Sequence, residues 1–516
     1  MTSPSASRDN PPRAWRDTPL NAGRANPIAC IAQARFDPLA FVQLWAAWRA
    51  DPQRPPLLHV VANCQAPFDG ASLANARVAW PDALQPLAQT LIQQCWGLLP
   101  GVHRLRFEHG QLCLTLHIAE SENTAHDAAV ANTTLGYPPD ALGEGQPTAI
   151  VIGAGMAGAG TAHALALRGW HVQVLDRGDQ PAAGASGLPV GLVAPHTSPD
   201  DSIISRLSRA GVRAMHHVMQ DLLREGTDWR ASGVQERRLP GKTRKGGAPQ
   251  HWSQAWAPFA HPWTRAAEPP APPQALWHEK GAWLKPTALV HALLQHPRIR
   301  WQGDANIHSI RHVKGQWQAL QDDTVVAQAH RLVVATGPTA PELISPIAGL
   351  RLPLQALRGQ VSWGLQNVGQ SPSLPATPVN GHGSFVPHVP TPEGPAWFAG
   401  STFDRQHDQP HLSDADHAEN FARLQALLPD TAHSLQQVFN SGVRGWAGVR
   451  ASVPDRLPMV GPIANAPPGL WVNAGMGARG LTLAILCGEV LAARWHNEPL
   501  PIEPPLAKAL DALRYQ

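Results

Sequence analysis

The residues best placed to do chemistry form one stretch, Gly153-Ala-Gly155-Met-Ala-Gly158, with Asp176 lying 23 residues beyond the first glycine. A β-branched run at 150–152 feeds the glycines. An amphipathic segment, Gly169 and a second apolar run ending at Asp176 follow. Gly153 permits a tight turn, Gly155 lets a pyrophosphate approach the backbone, and Gly158 allows a helix to pack closely on the strand. Amide N–H groups at the start of that helix face phosphate oxygens. Asp176, with Arg177 beside it, is placed to accept ribose hydroxyls. Strand, glycines, helix, strand and acid fall in the order that predicts dinucleotide binding.

A second segment bears on which dinucleotide. The apolar run in HRLVVATGPTA (330–340) ends in Ala335-Thr336-Gly337 and follows an alternating stretch, 315–329, that reads as a β-hairpin. A strand entering Ala-Thr-Gly after a meander is a familiar FAD-side element. An ordinary core strand ending in a glycine turn remains the plainer alternative.

These motifs need a scaffold, and the composition allows one. At 516 residues the chain has room for two to four domains. With 43% hydrophobic and 15% charged residues it can bury sizeable cores. Aromatic usage is lopsided, at 19 Trp against 10 Phe and 2 Tyr. Cations are mostly Arg, with six Lys, and favour planar bidentate contacts. A net charge of +3 excludes a protein that coats nucleic acid, but not a local basic patch. Five cysteines (Cys30, Cys64, Cys95, Cys113, Cys487) form no CxxC pair, which argues against a disulfide scaffold or structural zinc. The first residues lack a signal-peptide core and no run of 18 apolar residues occurs, so the expected location is the cytoplasm, with no membrane contact.

Along the chain, residues 1–27 read as a polar, loosely attached tail and 28–119 as a small α/β domain. In the latter, 55–62 and 111–119 read as strands and 80–96 as a helix. Residues 120–147 read as a linker. The His/Asp-dense stretch from Asp404 to His417 reads as a solvated loop rather than a metal site, since Pro410 breaks the i, i+4 geometry between His407 and His411. The basic loop carrying Arg237, Arg238, Lys242, Arg244 and Lys245 could contact RNA phosphates, and a plain solvated loop explains it equally.

From Thr148 onward the chain resembles the D-amino-acid-oxidase-like flavoproteins. More closely, it resembles the FAD-dependent oxidoreductase half of the bacterial bifunctional tRNA 5-methylaminomethyl-2-thiouridine biosynthesis family. Besides the fingerprint, the resemblance rests on Gly184-Ala-Ser186-Gly187 with Gly191, Gly281-Ala-Trp283-Leu-Lys-Pro286, Arg358-Gly359-Gln360 and Gly400-Ser-Thr402-Phe403-Asp404-Arg405. Trp446-Ala-Gly448-Val-Arg450, Arg450-Ala-Ser-Val-Pro-Asp455 and Gly475-Met-Gly477-Ala-Arg479-Gly480-Leu481 complete it. It implies a Rossmann-like FAD-binding domain (148–235, 284–345 and 440–516) interleaved with an antiparallel-sheet substrate domain (236–283 and 346–439).

FAD contacts would fall to Gly153, Gly155, Gly158, Asp176, Arg177, Ser186, Gly187, Gly191, Thr336, Gly337, Gly477, Arg479, Gly480 and Leu481. The turn at 477–482 would present amides to the flavin, or serve only as a helix start. Arg450 would grip a substrate carboxylate, with an ordinary surface salt bridge as the alternative. Arg358 and Gln360 would line the same cleft or serve a structural hydrogen-bonding role, and Phe385 would stand at the site as well. Relatives tend to carry Tyr where Phe385 stands and Asn where Leu188 stands, so those two polar contacts are missing here.

The implied reaction is oxidative removal of the carboxymethyl group from 5-carboxymethylaminomethyl-(2-thio)uridine of tRNA. Residues 28–119 would be the remnant of the family's methyltransferase, lacking a glycine-rich cofactor loop where Ala32-Gln-Ala-Arg35-Phe-Asp37-Pro38 stands, and without methyltransferase activity. Two alternatives stand beside this reading: an oxidase of a free small amino acid such as glycine or sarcosine, and a flavoprotein that binds tRNA or protein without catalysis. Oligomeric state is left open, a monomer being the simpler expectation.

Overall fold

In the computed structural model the described residues are 28–66, 68, 70–119, 146–198, 200–237, 263–268, 275–366 and 374–516. The expected tail and linker lie outside them, as do Arg238, Lys242, Arg244 and Lys245 of the basic loop. Chain contacts divide the protein into two compact units, 1–139 with 493–504, and 140–492 with 505–516.

The first unit is α/β. Its sheet runs in the order Ile28–Gln33, Leu57–Gln65, Leu112–Ala119, Gly101–Phe107, with the first three strands parallel and the last antiparallel. Helices Pro38–Ala50 and Gln85–Gln94 turn apolar faces (Phe41, Trp45, Trp48, Leu87, Leu91) to the sheet's Leu58, Val60 and Leu114. The Trp45 and Phe107 rings meet at 4.7 Å between centroids.

Residues 493–504, expected in the FAD-binding domain, instead belong with this unit. There His59 Nε2 sits 3.1 Å from the Glu498 carboxylate, and Arg104 donates to the Pro499 carbonyl. Nothing in the local pattern around 493 marks that change of allegiance. It depends on contacts some 400 residues apart in sequence.

In the second unit a six-stranded sheet has the order Ile299–Gln302, His171–Leu175, Thr148–Ile152, Arg331–Val334, Leu470–Ala474, Met459–Pro462, all parallel except the last pair. Such near-continuous apolar strands, Val333 and Val472 at 0% exposure among them, are what a sheet covered on both faces requires. The fingerprint glycines lie where Thr148–Ile152 passes into helix Met156–Leu167. The predicted hairpin is the pair Gln316–Gln321 and Thr324–Ala329 of a three-stranded meander.

A second sheet of eight strands is largely antiparallel. Its order is Thr264–Ala266, Leu276–His278, Val234–Glu236, Val379–Gly381, Gly383–Thr391, Gly394–Gly400, Gln355–Leu365, Arg444–Ser452. The substrate domain therefore does not stop at 439, because Arg444–Ser452 pairs along its whole length with Gln355–Leu365. Helices Asp414–Leu427 and Pro429–Ser441 cover one face of this sheet, with Phe385, Trp397, Ala399, Leu424 and Leu435 between them. The surplus of Trp finds its use inside: Trp45, Trp48, Trp170, Trp263, Trp283, Trp317, Trp397 and Trp495 are among the largest fully buried side chains.

Candidate active site

The fingerprint turn is built as its glycines require. Gly153 has φ +110°, and a Cβ there would meet the Ala335 carbonyl oxygen at 2.5 Å. A Cβ on Gly158 would lie 1.8 Å from the Gly153 oxygen, so helix and strand touch backbone to backbone. Gly155 at the helix start has no side chain to cap it, and the first helical amide, that of Met156, is taken by the Ser186 hydroxyl. Asp176 accepts the Ala154 amide at 2.6 Å and the Gly178 amide at 2.8 Å, pinning its carboxylate at the mouth of the turn. Arg177 beside it is exposed.

Three short turns face this region. In Ala185–Gly187, Ser186 accepts the Met156 amide at 2.9 Å and ties the turn to the fingerprint helix. In Gly337–Thr339, Gly337 has φ +64°, and the buried Thr336 hydroxyl before it has no hydrogen-bond partner among the described residues. In Gly477–Arg479, Gly477 has φ +54° and the turn leads into helix Gly480–His496. Leu481 contributes packing: its side chain fills the space that a Cβ on Gly191 would occupy. A helix entered through glycines, an orphan hydroxyl and glycine-lined turns fit a dinucleotide with a flat ring system.

Strand Arg444–Ser452 packs against all three turns, and Arg450 is carried on it. Its guanidinium lies over Gly359, where a Cβ would come within 2.3 Å of Nη2. It reaches the Thr402 carbonyl at 3.2 Å and sits 4.7 Å from the Phe403 ring centroid. Among the described residues no carboxylate pairs with it. Burial pulls its pKa down to about 10, so it remains a cation at neutral pH. A mostly buried cation without a counter-ion calls for an anion from outside the chain.

Of the other expected cleft residues, Arg358 lines the cavity described below from the opposite face of the strand, whereas Gln360 and Phe385 are not among its lining residues. Leu357 is the cross-strand partner of Arg450, so Leu357 and Gly359 share its face and Arg358 and Gln360 point to the other. Arg358, 1% exposed, pairs with Asp416 at 2.8 Å, stands 3.7 Å from Asp404 and donates through Nε to the His411 carbonyl at 3.0 Å. Gln360 exchanges hydrogen bonds with the Ser413 backbone at 2.8 and 2.9 Å. Both tie down the segment 402–413. Arg358→Ala is expected to lower stability by about 3–5 kcal/mol, because Asp416 is left a buried carboxylate without its partner. Urea unfolding of the holoprotein measures this, and an unchanged midpoint would show that the segment holds itself.

Phe385 is also corrected. At 0% exposure it lies in the core under the two helices, stacked on Trp397 at 6.1 Å. The strand's register shifts between Val386 and Val389, and such a bulge hides which face a side chain takes. Arg237 is tied inward as well, donating to Gln235 at 2.7 Å and to the Leu427 carbonyl at 3.0 Å. The sequence reading missed Gly359 and Phe403 as partners of Arg450. Both sit in quoted motifs, but only cross-strand register shows what they touch.

A cavity of about 1020 Å³ is lined by Leu357, Phe403, Ser452, Arg456, Met476 and Arg479, among others. It brings Arg450's stacking partner and the third turn to one space. Among the described residues no cluster of His, Cys, Asp or Glu could hold a metal, and no helix is long and apolar enough to cross a membrane.

The profile of the family described as DAO, FAD dependent oxidoreductase, matches residues 148–494. The "tRNA 5-methylaminomethyl-2-thiouridine biosynthesis bifunctional protein MnmC" of Polaromonas naphthalenivorans is 40% identical, covering 95% of this chain and 91% of its own. That of Paracidovorax citrulli is 41% identical, covering 92% and 90%. Among solved structures, glycine oxidase from Geobacillus kaustophilus superposes with a TM-score of 0.55 at 19% identity, over 69% of this chain and 97% of its own. Iminodiacetate oxidase from Chelativorans sp. BNC1 gives 0.53 at 20% identity, over 68% and 96%. These turns, the fingerprint helix and Arg450 lie within the matched domain of FAD-dependent oxidoreductases, and FAD is its cofactor. The chain belongs to the DAO family of FAD-dependent oxidoreductases and to the family of the tRNA 5-methylaminomethyl-2-thiouridine biosynthesis bifunctional proteins.

Proposed function

We propose that this enzyme oxidatively removes the carboxymethyl group from 5-carboxymethylaminomethyl-(2-thio)uridine at the tRNA wobble position, leaving 5-aminomethyl-(2-thio)uridine and glyoxylate. The observation that carries the reading is Arg450: buried, cationic, without a carboxylate of its own, on the strand that packs against all three flavin-site turns. The substituent is an N-substituted glycine, and its carboxylate matches a guanidinium fork. FAD, when bound, would accept the hydride, and with it the two electrons, released as the glycyl carbon is oxidised to the imine. Arg450 neutralises and orients the carboxylate, Phe403 and the Thr402 carbonyl hold the guanidinium in place, and Gly359 leaves room for it. The amine enters unprotonated, and water hydrolyses the resulting imine.

We propose further that the methyltransferase step is absent. The turn between strand Ile28–Gln33 and helix Pro38–Ala50 is filled by the chain itself. Phe36 is 7% exposed and packs on Phe41 and Phe68, and Asp37 caps the helix through the Leu39 and Ala40 amides at 2.9 and 3.1 Å. A cofactor loop needs that helix end open and its backbone approachable. The alignment with the Polaromonas relative runs over 588 positions, more than the 516 residues of this chain, so that relative carries segments with no counterpart here.

The test uses tRNA bearing the modification, incubated with the flavin-loaded protein, digested to nucleosides and analysed by mass. Conversion to the aminomethyl nucleoside, with no methylated product on adding S-adenosylmethionine, is expected. Turnover of glycine or sarcosine without any change in the tRNA would overturn the first proposal, and a methylated nucleoside would overturn the second.

A further inference from the structure

Two loops on the wall of the cavity repeat one arrangement. In each, an Asp precedes an Arg in sequence, and the Asp is claimed by a different arginine. Asp404 lies 3.7 Å from Arg358 and 2.6 Å from His407 Nδ1, so Arg405 is left without it. Asp455 is bound by Arg514 at 2.8 Å and accepts the Leu457 amide at 3.0 Å, so Arg456 is left without it. The remaining lining carboxylates are likewise committed, Asp416 to Arg358 and Glu419 to Arg423. No carboxylate pairs with Arg405, Arg456 or Arg479 among the described residues, although all three line the cavity. Arg479 feels the crowding: burial first, and repulsion from Arg456 second, lower its pKa.

Both bases are fixed. Asp404 exchanges two backbone hydrogen bonds of 2.9 Å with Arg358, which holds the residue before Arg405 as a strand extension. Arg456 itself has φ +63°, a conformation that costs a non-glycine residue of order 1 kcal/mol or more and persists where surrounding structure imposes it. Neutralising the neighbouring acids with internal arginines, while leaving two exposed guanidiniums at fixed places, serves an anion too large to enter the cavity.

We infer that Arg405 and Arg456 form a clamp for the phosphodiester backbone on either side of the nucleotide that enters, so that the site takes a polynucleotide and not a free amino acid. This rests on the proposed tRNA substrate. Phosphate contacts of this kind fix register and carry no base information, which suits a reaction at one exposed nucleotide.

The test compares the flavin-loaded wild type with the Arg405→Ala/Arg456→Ala double variant. Binding of a modified anticodon stem-loop is followed by fluorescence anisotropy across a salt series, and binding of the free carboxymethylaminomethyluridine nucleoside by quenching of flavin fluorescence. The double variant is expected to bind the stem-loop about 10- to 100-fold more weakly, with a salt slope lower by roughly 1–2, near 0.7 per single-strand phosphate lost. Nucleoside affinity and flavin content are expected to hold, and Arg→Lys at both positions to restore most of the slope. Unchanged stem-loop affinity, or an equal loss for the nucleoside, would overturn the clamp. A wild type that binds the stem-loop with the expected slope yet leaves the nucleoside unoxidised would sink the proposed reaction alone.

Discussion

Arg450→Ala is expected to keep its flavin and lose its substrate. The guanidinium touches the Thr402 carbonyl and the Phe403 ring, and no flavin-site turn depends on it for a hydrogen bond. Truncating one partner of a buried charged pair costs about 2–4 kcal/mol, or roughly 30- to 700-fold in kcat/KM, and the loss should fall mainly on KM. Stability should move the other way from most core truncations. A buried cation lacking a counter-ion carries a desolvation cost that the empty protein does not recover. Arg450→Met, which preserves volume, is therefore expected to melt no lower than wild type while being as inactive as the alanine variant. Kinetics, flavin absorbance and thermal unfolding on the same preparations check all three statements. Loss of flavin, or a large drop in melting temperature, would mean that Arg450 is structural.

The second large effect is expected at Gly158. A methyl group there would overlap the Gly153 carbonyl oxygen at 1.8 Å and press on Val151 at 3.3 Å, and both neighbours are held by the sheet. The helix must back away from the strand, and the amide end aimed at the dinucleotide moves with it. Overpacking of this kind costs about 1–3 kcal/mol or more, and here it is spent at the cofactor site. Gly158→Ala should purify as a colourless, less stable protein. Gly184→Ala is the matched control. It has φ −90° and nothing within 4 Å of a built Cβ, so it should purify yellow. A yellow, stable Gly158→Ala would show that the helix can yield.

The contrast between these two glycines marks how far the sequence could be read. Local order was legible: strand, glycine turn, helix and acid at 148–176 stand where their spacing put them, as do the hairpin and helix Gly480–His496. Arg450 was legible only through family resemblance, and its lack of a partner only through the structure. The sequence left Arg358 and Gln360 open between a cleft and a structural role, and it carried no sign that Phe385 lies in the core. Their roles depend on which face of a strand meets which neighbour, and a period of two turns a one-residue error into the opposite side of the sheet. Arg358 and Arg450 are 92 residues apart in sequence and adjacent in the sheet, and register alone separates a structural tie from a ligand contact. The same limit applies to strand Arg444–Ser452, whose partner lies far upstream, so the domain boundary implied by the resemblance falls just ahead of it.

Because Arg450 answers to no carboxylate among the described residues, the two products of the proposed reaction would leave the site on unequal terms. The aminomethyl nucleotide has surrendered the group that the arginine holds, so a finished tRNA carries one fewer anchor than an unprocessed one and yields its place readily. Glyoxylate keeps that group. The enzyme's own brake would then be the small acid, with other short carboxylates acting the same way, while modified tRNA, held by its phosphates alone, would compete more weakly than the unprocessed substrate.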